Sequence, residues 1–321
     1  MPDVDMAERT GASRGERAAV PDGGAFETRG QARSRLGLKG FLSLTAAVVA
    51  AAFVVSVLLP HDPYIRYQTF KGTIFERLDW IYDRLVHDQT PIDVLFVGSS
   101  RTGLGVSATA LEAELKARGT PTRVANISVP AAGIDIRYAK IKLALEHHPE
   151  IRLIVLGVVE ALPRDGHQAF GDLATAGEVL TSPVIVNRNL PVNLARLPYR
   201  QMALSLATLA PDAFGYRTAF EPENYAGPTR NRLAVNDPDR DLQEETASLL
   251  TAEHAEALSR ESRRRLRELT PPILPEALGW VEFGVSRSYL RRIADLAAEH
   301  DAKIAFMFLP FFDGYAKPVD A

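Results

Sequence analysis

The sequence contains no cysteine. Disulfides, thiol catalysis and thiolate metal sites are therefore excluded, and the absence fits a reducing or an oxidising compartment equally. Neither charge sign dominates: 37 Lys and Arg stand against 40 Asp and Glu, for a net charge of −3. No basic excess marks a nucleic-acid partner. No HExxH or comparable ligand spacing occurs, so a metal-dependent hydrolase built on Glu160, Asp165 and His167 has little support, and no cofactor is expected. Internal repeats are absent as well. With 321 residues, 46% of them hydrophobic, the chain suffices for one large domain or two small ones.

What the chain does have is one long apolar run. Residues 40–59, GFLSLTAAVVAAAFVVSVLL, carry no charge and only Ser43, Thr45 and Ser56 as polar side chains. At about 1.5 Å per residue the run spans roughly 30 Å of hydrocarbon. It is too long for a signal-peptide core, and no small-x-small cleavage site follows it. It is apolar on every face, unlike a core helix of a soluble domain. Residues 36–60 are thus expected to form a single-pass anchor. Arg29, Arg33, Arg35 and Lys39 precede it with no acid among residues 29–39, which places the N-terminus in the cytoplasm and the rest of the chain outside. Residues 1–35 lack apolar periodicity and read as a disordered cytoplasmic tail. Residues 61–89 read as a linker helix, with Ile74, Leu78, Ile81 and Leu85 at helical spacing.

Beyond residue 90, strands and helices alternate. Strands are expected at 92–97, 123–127 and 151–156, the last ending at Gly157. Helices are expected at 109–118, with Thr109 and Glu112 in capping-box spacing and Gly119 as the stop, and at 135–148. The pattern returns with a helix at 286–300 and a buried strand at 303–309. This order implies parallel strands with right-handed crossovers. The expected fold is therefore α/β, a doubly wound, flavodoxin-like parallel sheet formed by residues 90–160 and 284–321. A mainly helical insert, 161–283, interrupts it. The insert opens on the Pro- and Asn-punctuated SPVIVNRNLPVNLARLPY and holds a long helical pattern at 241–269.

In open α/β sheets, ligands bind outside the carboxyl ends of the strands. That edge should carry Gly98, Ser99, Ser100, Arg101 and Thr102 after the first strand, Asn126 and Ser128 after the second, Glu160 after the third, and Asp313 and Tyr315 after the last.

A buried strand closing on GSS, then ANISVPAAG, then LIVLGVVE, resembles the SGNH/GDSL hydrolase superfamily. It is similar in particular to the membrane-anchored envelope branch that includes alginate O-acetylation and teichoic-acid D-alanine transfer proteins. The resemblance covers residues 90–160 and, more weakly, 285–315. It implies Ser100 as nucleophile, with Ser99 where the family has Asp, and Gly133 as the glycine of the second block. It further implies an oxyanion-binding region around Gly98, Ser99, Gly133 and Asn126. The family's third block has an Asn amide as donor, but this chain has Glu160 nearby. An ionised carboxylate accepts hydrogen bonds and cannot donate to a developing oxyanion. The family's final Asp-x-x-His block is absent, which points either to a truncated chain or to a fold used without its chemistry.

A serine hydroxyl needs a base. His87, His147, His148 and His300 should lie at the amino edge of the sheet, His61 beside the membrane, and His254 in the insert. His167 follows the third strand, with Asp165 two residues before it, and is the fallback base with Asp165 as its orienter. The resemblance thus implies an extracytoplasmic esterase or O-acyltransferase acting on envelope or exopolysaccharide at the inner membrane, partnered by a polysaccharide or an acyl-donor membrane protein. The alternative is a non-catalytic scaffold or binding module.

Overall fold

The computed structural model describes residues 37–131, 133–158, 163–184, 186–229 and 273–308. Glu160, His254, Asp313, Tyr315, the helical pattern at 241–269 and the tail at 1–35 lie outside them. The chain divides into two units, residues 1–48 and 49–321. The apolar run forms helix α1 (Leu38–Val57), the one helix among the described residues long and apolar enough to cross a membrane.

The second unit is built on a four-stranded parallel sheet in the order β2-β1-β3-β4. Its strands are β1 (Val94–Val97), β2 (Val124–Asn126), β3 (Leu153–Val158) and β4 (Lys303–Phe308). Side chains alternate across the pleat. Leu95, Val97, Ile154 and Leu156 enter the main core, while Val94, Phe96, Leu153 and Val155 face a smaller cluster. Helices cover both faces. Ile141 and Leu145 of α6 (Ile134–His147), together with Tyr289 and Ile293 of α12 (Gly284–Glu299), pack into the main core. Ala108, Leu111 and Leu115 of α5 (Ala108–Ala117) close the smaller cluster.

Several elements differ from expectation. Residues 64–88 do not form one helix. They break into α2 (Pro63–Gln68), α3 (Arg77–Tyr82) and a π-turn at Asp83–His87. Gly72, at φ 74°, turns the chain between the first two, and Ile74 is left exposed. The segment is no mere linker: Tyr64, Tyr67, Phe75, Leu78 and Ile81 lie in the main core. The cap of α5 is Ser107, which accepts from Ala110 N at 3.2 Å. Glu112 instead accepts from Val124 N at 2.6 Å, tying α5 to β2. Gly119, at φ 80°, ends the helix as its sequence position suggests. Gly157 lies inside β3 and does not terminate it. β4 is not a buried strand. It has one strand neighbour in the described sheet, and Phe306 and Phe308 are exposed.

The described part of the insert begins with two short helices, α7 (Phe170–Leu173) and α8 (Ala176–Leu180), the second closed by a Thr175–Glu178 capping box. The Pro-punctuated stretch that follows is helical. It forms α9 (Asn189–Leu209), with Pro191 in the first turn, where no intrahelical partner is lost, and Pro198 in the interior. Short turns, α10 (Pro211–Phe214) and α11 (Gly279–Glu282), complete the described helices used below.

Candidate functional site

Strand order reverses between β1 and β3, because the chain crosses from β1 to β2 on one side and then to β3 on the other. In open α/β sheets the crevice at such a point receives ligands. Here Gly98 leaves β1, Ser99 adopts extended backbone, and Ser100 is the first residue of α4 (Ser100–Gly105). Gly103 N donates back to Ser99 O at 2.9 Å. Ser99 is buried and Ser100 half-buried.

Thr102, 2% exposed, plugs the crevice beneath them. A methyl group added at either Gly98 or Gly157 would fall on its hydroxyl. Glycine is needed at both positions because one threonine packs against both strand ends. Gly133 is extended, at φ −163°, so its conformation suits any residue. Glycine is required there because a β-carbon would collide with that of His167.

Asn126 is not free to bind an oxyanion, which corrects its expected role. Its amide nitrogen donates to Thr102 O (3.0 Å) and Val106 O (2.8 Å), and its Oδ1 accepts from Ser128 N (3.2 Å). The side chain clamps the two ends of α4 to β2.

The Asp165–His167 pair does not form. Asp165 accepts from Arg188 Nη2 at 2.6 Å and Nε at 2.9 Å, and these bonds hold its carboxyl below the usual range against the cost of partial burial. His167 is buried, at 2% exposed. Its Nδ1 accepts from Ala169 N at 3.0 Å, so the ring proton sits on Nε2, 3.1 Å from Pro130 O. Its ring meets Phe75 edge-on at 5.0 Å. Burial lowers its pKa to about 4, aided by the charges of Lys140 and Arg137. With both ring nitrogens engaged, His167 is a neutral structural group and no base for Ser100.

Three buried charged residues of α6 are absent from the sequence-based list of candidates. Asp135 accepts His167 N at 2.8 and 3.0 Å, and burial raises its pKa to about 6. Lys140, fully buried, donates to Ile127 O at 2.6 Å, and burial pushes its ammonium well below its ordinary value. Arg137, 1% exposed, donates from Nη1 to Gly157 O, and burial lowers its pKa to about 10. Arg77 of α3 adds a bond to Asn126 O at 2.6 Å. The two guanidinium groups and the Lys140 amine therefore cap carbonyl oxygens at the carboxyl ends of β2 and β3. Arg137 Nε and Nη2 and Ser128 Oγ remain buried without partners. Such a floor favours negative charge above it. The signal available in the sequence was the polar trio at 135, 137 and 140 on a helix otherwise read by its apolar side. Glu160 lies outside the described residues. Among those residues, no group of three His, Asp or Glu side chains is arranged for a metal.

Comparison with protein-family models, with curated proteins and with solved structures returns no match to this chain.

Proposed function

We propose that this protein is a membrane-anchored, extracytoplasmic SGNH-like domain that forms or breaks acyl esters on envelope or exopolysaccharide, with Ser100 as nucleophile. One observation carries the reading. Ser100 begins a helix at the carboxyl edge of a parallel sheet, beside the point where strand order reverses, and at the same edge the buried Arg137 donates to Gly157 O of β3. The strand order 2-1-3-4 is compatible with a doubly wound, flavodoxin-like sheet. In the proposed step, Ser100 Oγ bonds to the acyl carbon and its proton passes to a base. The donor oxygen then leaves with a proton as the tetrahedral oxyanion collapses. His167 and Asp165 are excluded as base and orienter by their own hydrogen bonds. The test is a fluorophosphonate probe on the detergent-solubilised full chain. Labelling lost in Ser100→Ala supports the reading, and absence of labelling in folded protein refutes it.

A second reading, a non-catalytic envelope-binding module, is favoured by the internal use of Asn126, His167 and Asp165. It expects no labelling. The anchor reading places the protein in the inner membrane with its N-terminus inside. A reporter active only outside the cytoplasm, fused after Tyr67, should be active, and silence reverses the orientation.

A further inference from the structure

Helix α9 has an inner and an outer face. Leu190, Leu197, Leu204 and Ala207 are buried. The opposite face exposes Val192, Tyr199, Met202, Leu206 and Leu209, with exposures of 54, 71, 42, 59 and 80%. At 100° per residue these five share one stripe, and Arg196 is the one charged residue among the exposed positions of the helix. All 21 residues of α9 include no Asp, Glu or Lys. An ordinary solvated helix face is charged or polar, so water does not account for this one. The apolar surface continues past the helix to Phe214, and to Ile74 across an open groove of about 700 Å³.

The position of α9 identifies what meets the stripe. Gln201 Nε2 donates to the carbonyl of Val57, the last residue of α1, at 3.1 Å. Seven residues later, Thr208 Oγ1 accepts from Asp62 N at 2.9 Å. Ile65 of α2 packs with Leu204 and Ala207. Thus α9 is bonded to the chain at the residue where the apolar helix ends and again five residues further on. Tyr199, Met202 and Leu206 lie within about two turns of Gln201. If α1 spans a bilayer, Val57 lies at its boundary, and so does the middle of α9.

We infer that the outer stripe of α9 is a lipid-contact surface lying in the bilayer interface beside the anchor. This rests on reading α1 as the anchor. The composition fits such a site: aliphatic side chains enter the acyl boundary, while Tyr199, with an apolar ring and a polar tip, suits the headgroup level. Such a second contact restricts the tilt of the domain relative to the membrane, which a single span alone does not do.

The absence of cysteine makes a direct test available. Met202→Cys and Leu206→Cys, with Val48→Cys in α1 as reference, each give the full chain one thiol for bimane labelling. The labelled protein is reconstituted in phosphatidylethanolamine–phosphatidylglycerol vesicles, with doxyl-labelled lipid or aqueous iodide as quencher. The expected result is that doxyl lipid removes roughly half or more of the fluorescence at 202 and 206, as at 48, and that iodide does little. Quenching by iodide at 202 and 206, with doxyl quenching intact at 48, overturns the stripe and leaves the anchor standing. Shielding from both quenchers means that protein, a second copy or another chain, covers the stripe, and it also overturns the inference. Loss of doxyl quenching at 48 sinks the anchor reading. The stripe then stands only if 202 and 206 still report lipid. Positions 202 and 206 are exposed, and unchanged melting of each variant confirms that the fold is intact.

Discussion

Thr102 is wedged between the ends of β1 and β3, so the fit of Gly157 and of Gly98 around it makes unequal demands. A methyl at Gly157 would fall on Thr102 Oγ1 but stand 3.2 Å from Thr102 Cβ. A methyl at Gly98 would fall on both Oγ1 and Cβ. Overpacking a well-packed site costs about 1–3 kcal/mol. Gly157→Ala and Gly98→Ala should each destabilise the fold by about 2 kcal/mol or more. A domain of this size loses roughly 2–4 °C in Tm per kcal/mol, so each should melt roughly 4–8 °C lower. Thr102→Ala removes the hydroxyl and methyl, at a cost of about 1 kcal/mol for the lost burial. In that background the Gly157→Ala methyl meets only the β-carbon at 3.2 Å, a contact relieved by a shift of a few tenths of an ångström. The Gly98→Ala methyl still collides with that β-carbon. The double-mutant cycle should therefore show a coupling of about 2 kcal/mol for the 102–157 pair and almost none for the 102–98 pair. Melting is followed by tryptophan fluorescence in detergent, with the buried Trp80 as reporter. Two outcomes refute the packing argument: Gly157→Ala melting with the parent, or Thr102→Ala rescuing both glycine variants alike.

Three further expectations concern the same edge. Asn126→Ala strips a donor from two carbonyls and an acceptor from Ser128 N, and it should cost about 3 kcal/mol, or roughly 6–12 °C in Tm; an unchanged Tm would show the clamp to be dispensable. His167, held near 4 against an ordinary 6.5, binds its proton more weakly in the folded chain. Its contribution is present above pH 6.5 and is lost as pH falls towards 4, about 2 kcal/mol of it by pH 5. Asp135, raised to about 6 from 3.8, acts oppositely, recovering about 1.4 kcal/mol over the same acidification. Relative to the parent between pH 7.5 and 5, Asp135→Asn should therefore lose stability and His167→Asn should gain it, and shifts of the same sign in urea unfolding would contradict the assignment. Asp165→Asn should leave fluorophosphonate labelling of Ser100 unchanged, since Asp165 faces Arg188 and not His167; a tenfold slower reaction would restore its role as orienter.

The sequence by itself determined the elements whose signal is local. An uncharged run of twenty residues marks α1 whatever surrounds it. Short apolar runs followed by polar loops mark β1, β2 and β3, and crossover helices between them require parallel pairing. Gly119 marks a helix end because its own backbone turns left-handed. Ser100 reached the carboxyl edge by the same reasoning, since it follows β1 directly. Tertiary structure alone decided the partners of the polar side chains. His167 and Asp165, two residues apart, looked like a pair. His167 N instead meets Asp135, 32 residues away, and Asp165 meets Arg188, 23 residues away. Asn126 looked available until α4 folded back onto it. The regular apolar spacing over 64–88 gave no sign of the break at Gly72, because the aromatic residues flanking it gain more by entering the core than by continuing a helix. Arg137 and Lys140, which any hydropathy pattern sends to solvent, are buried where they donate to the carbonyls of Gly157 and Ile127. The stripe on α9 was not legible, because the Pro- and Asn-punctuated sequence gave no sign that residues 189–209 form one helix. Periodicity reports what a segment can bury. Which groups meet is settled only when distant segments compete for the same donors, acceptors and space.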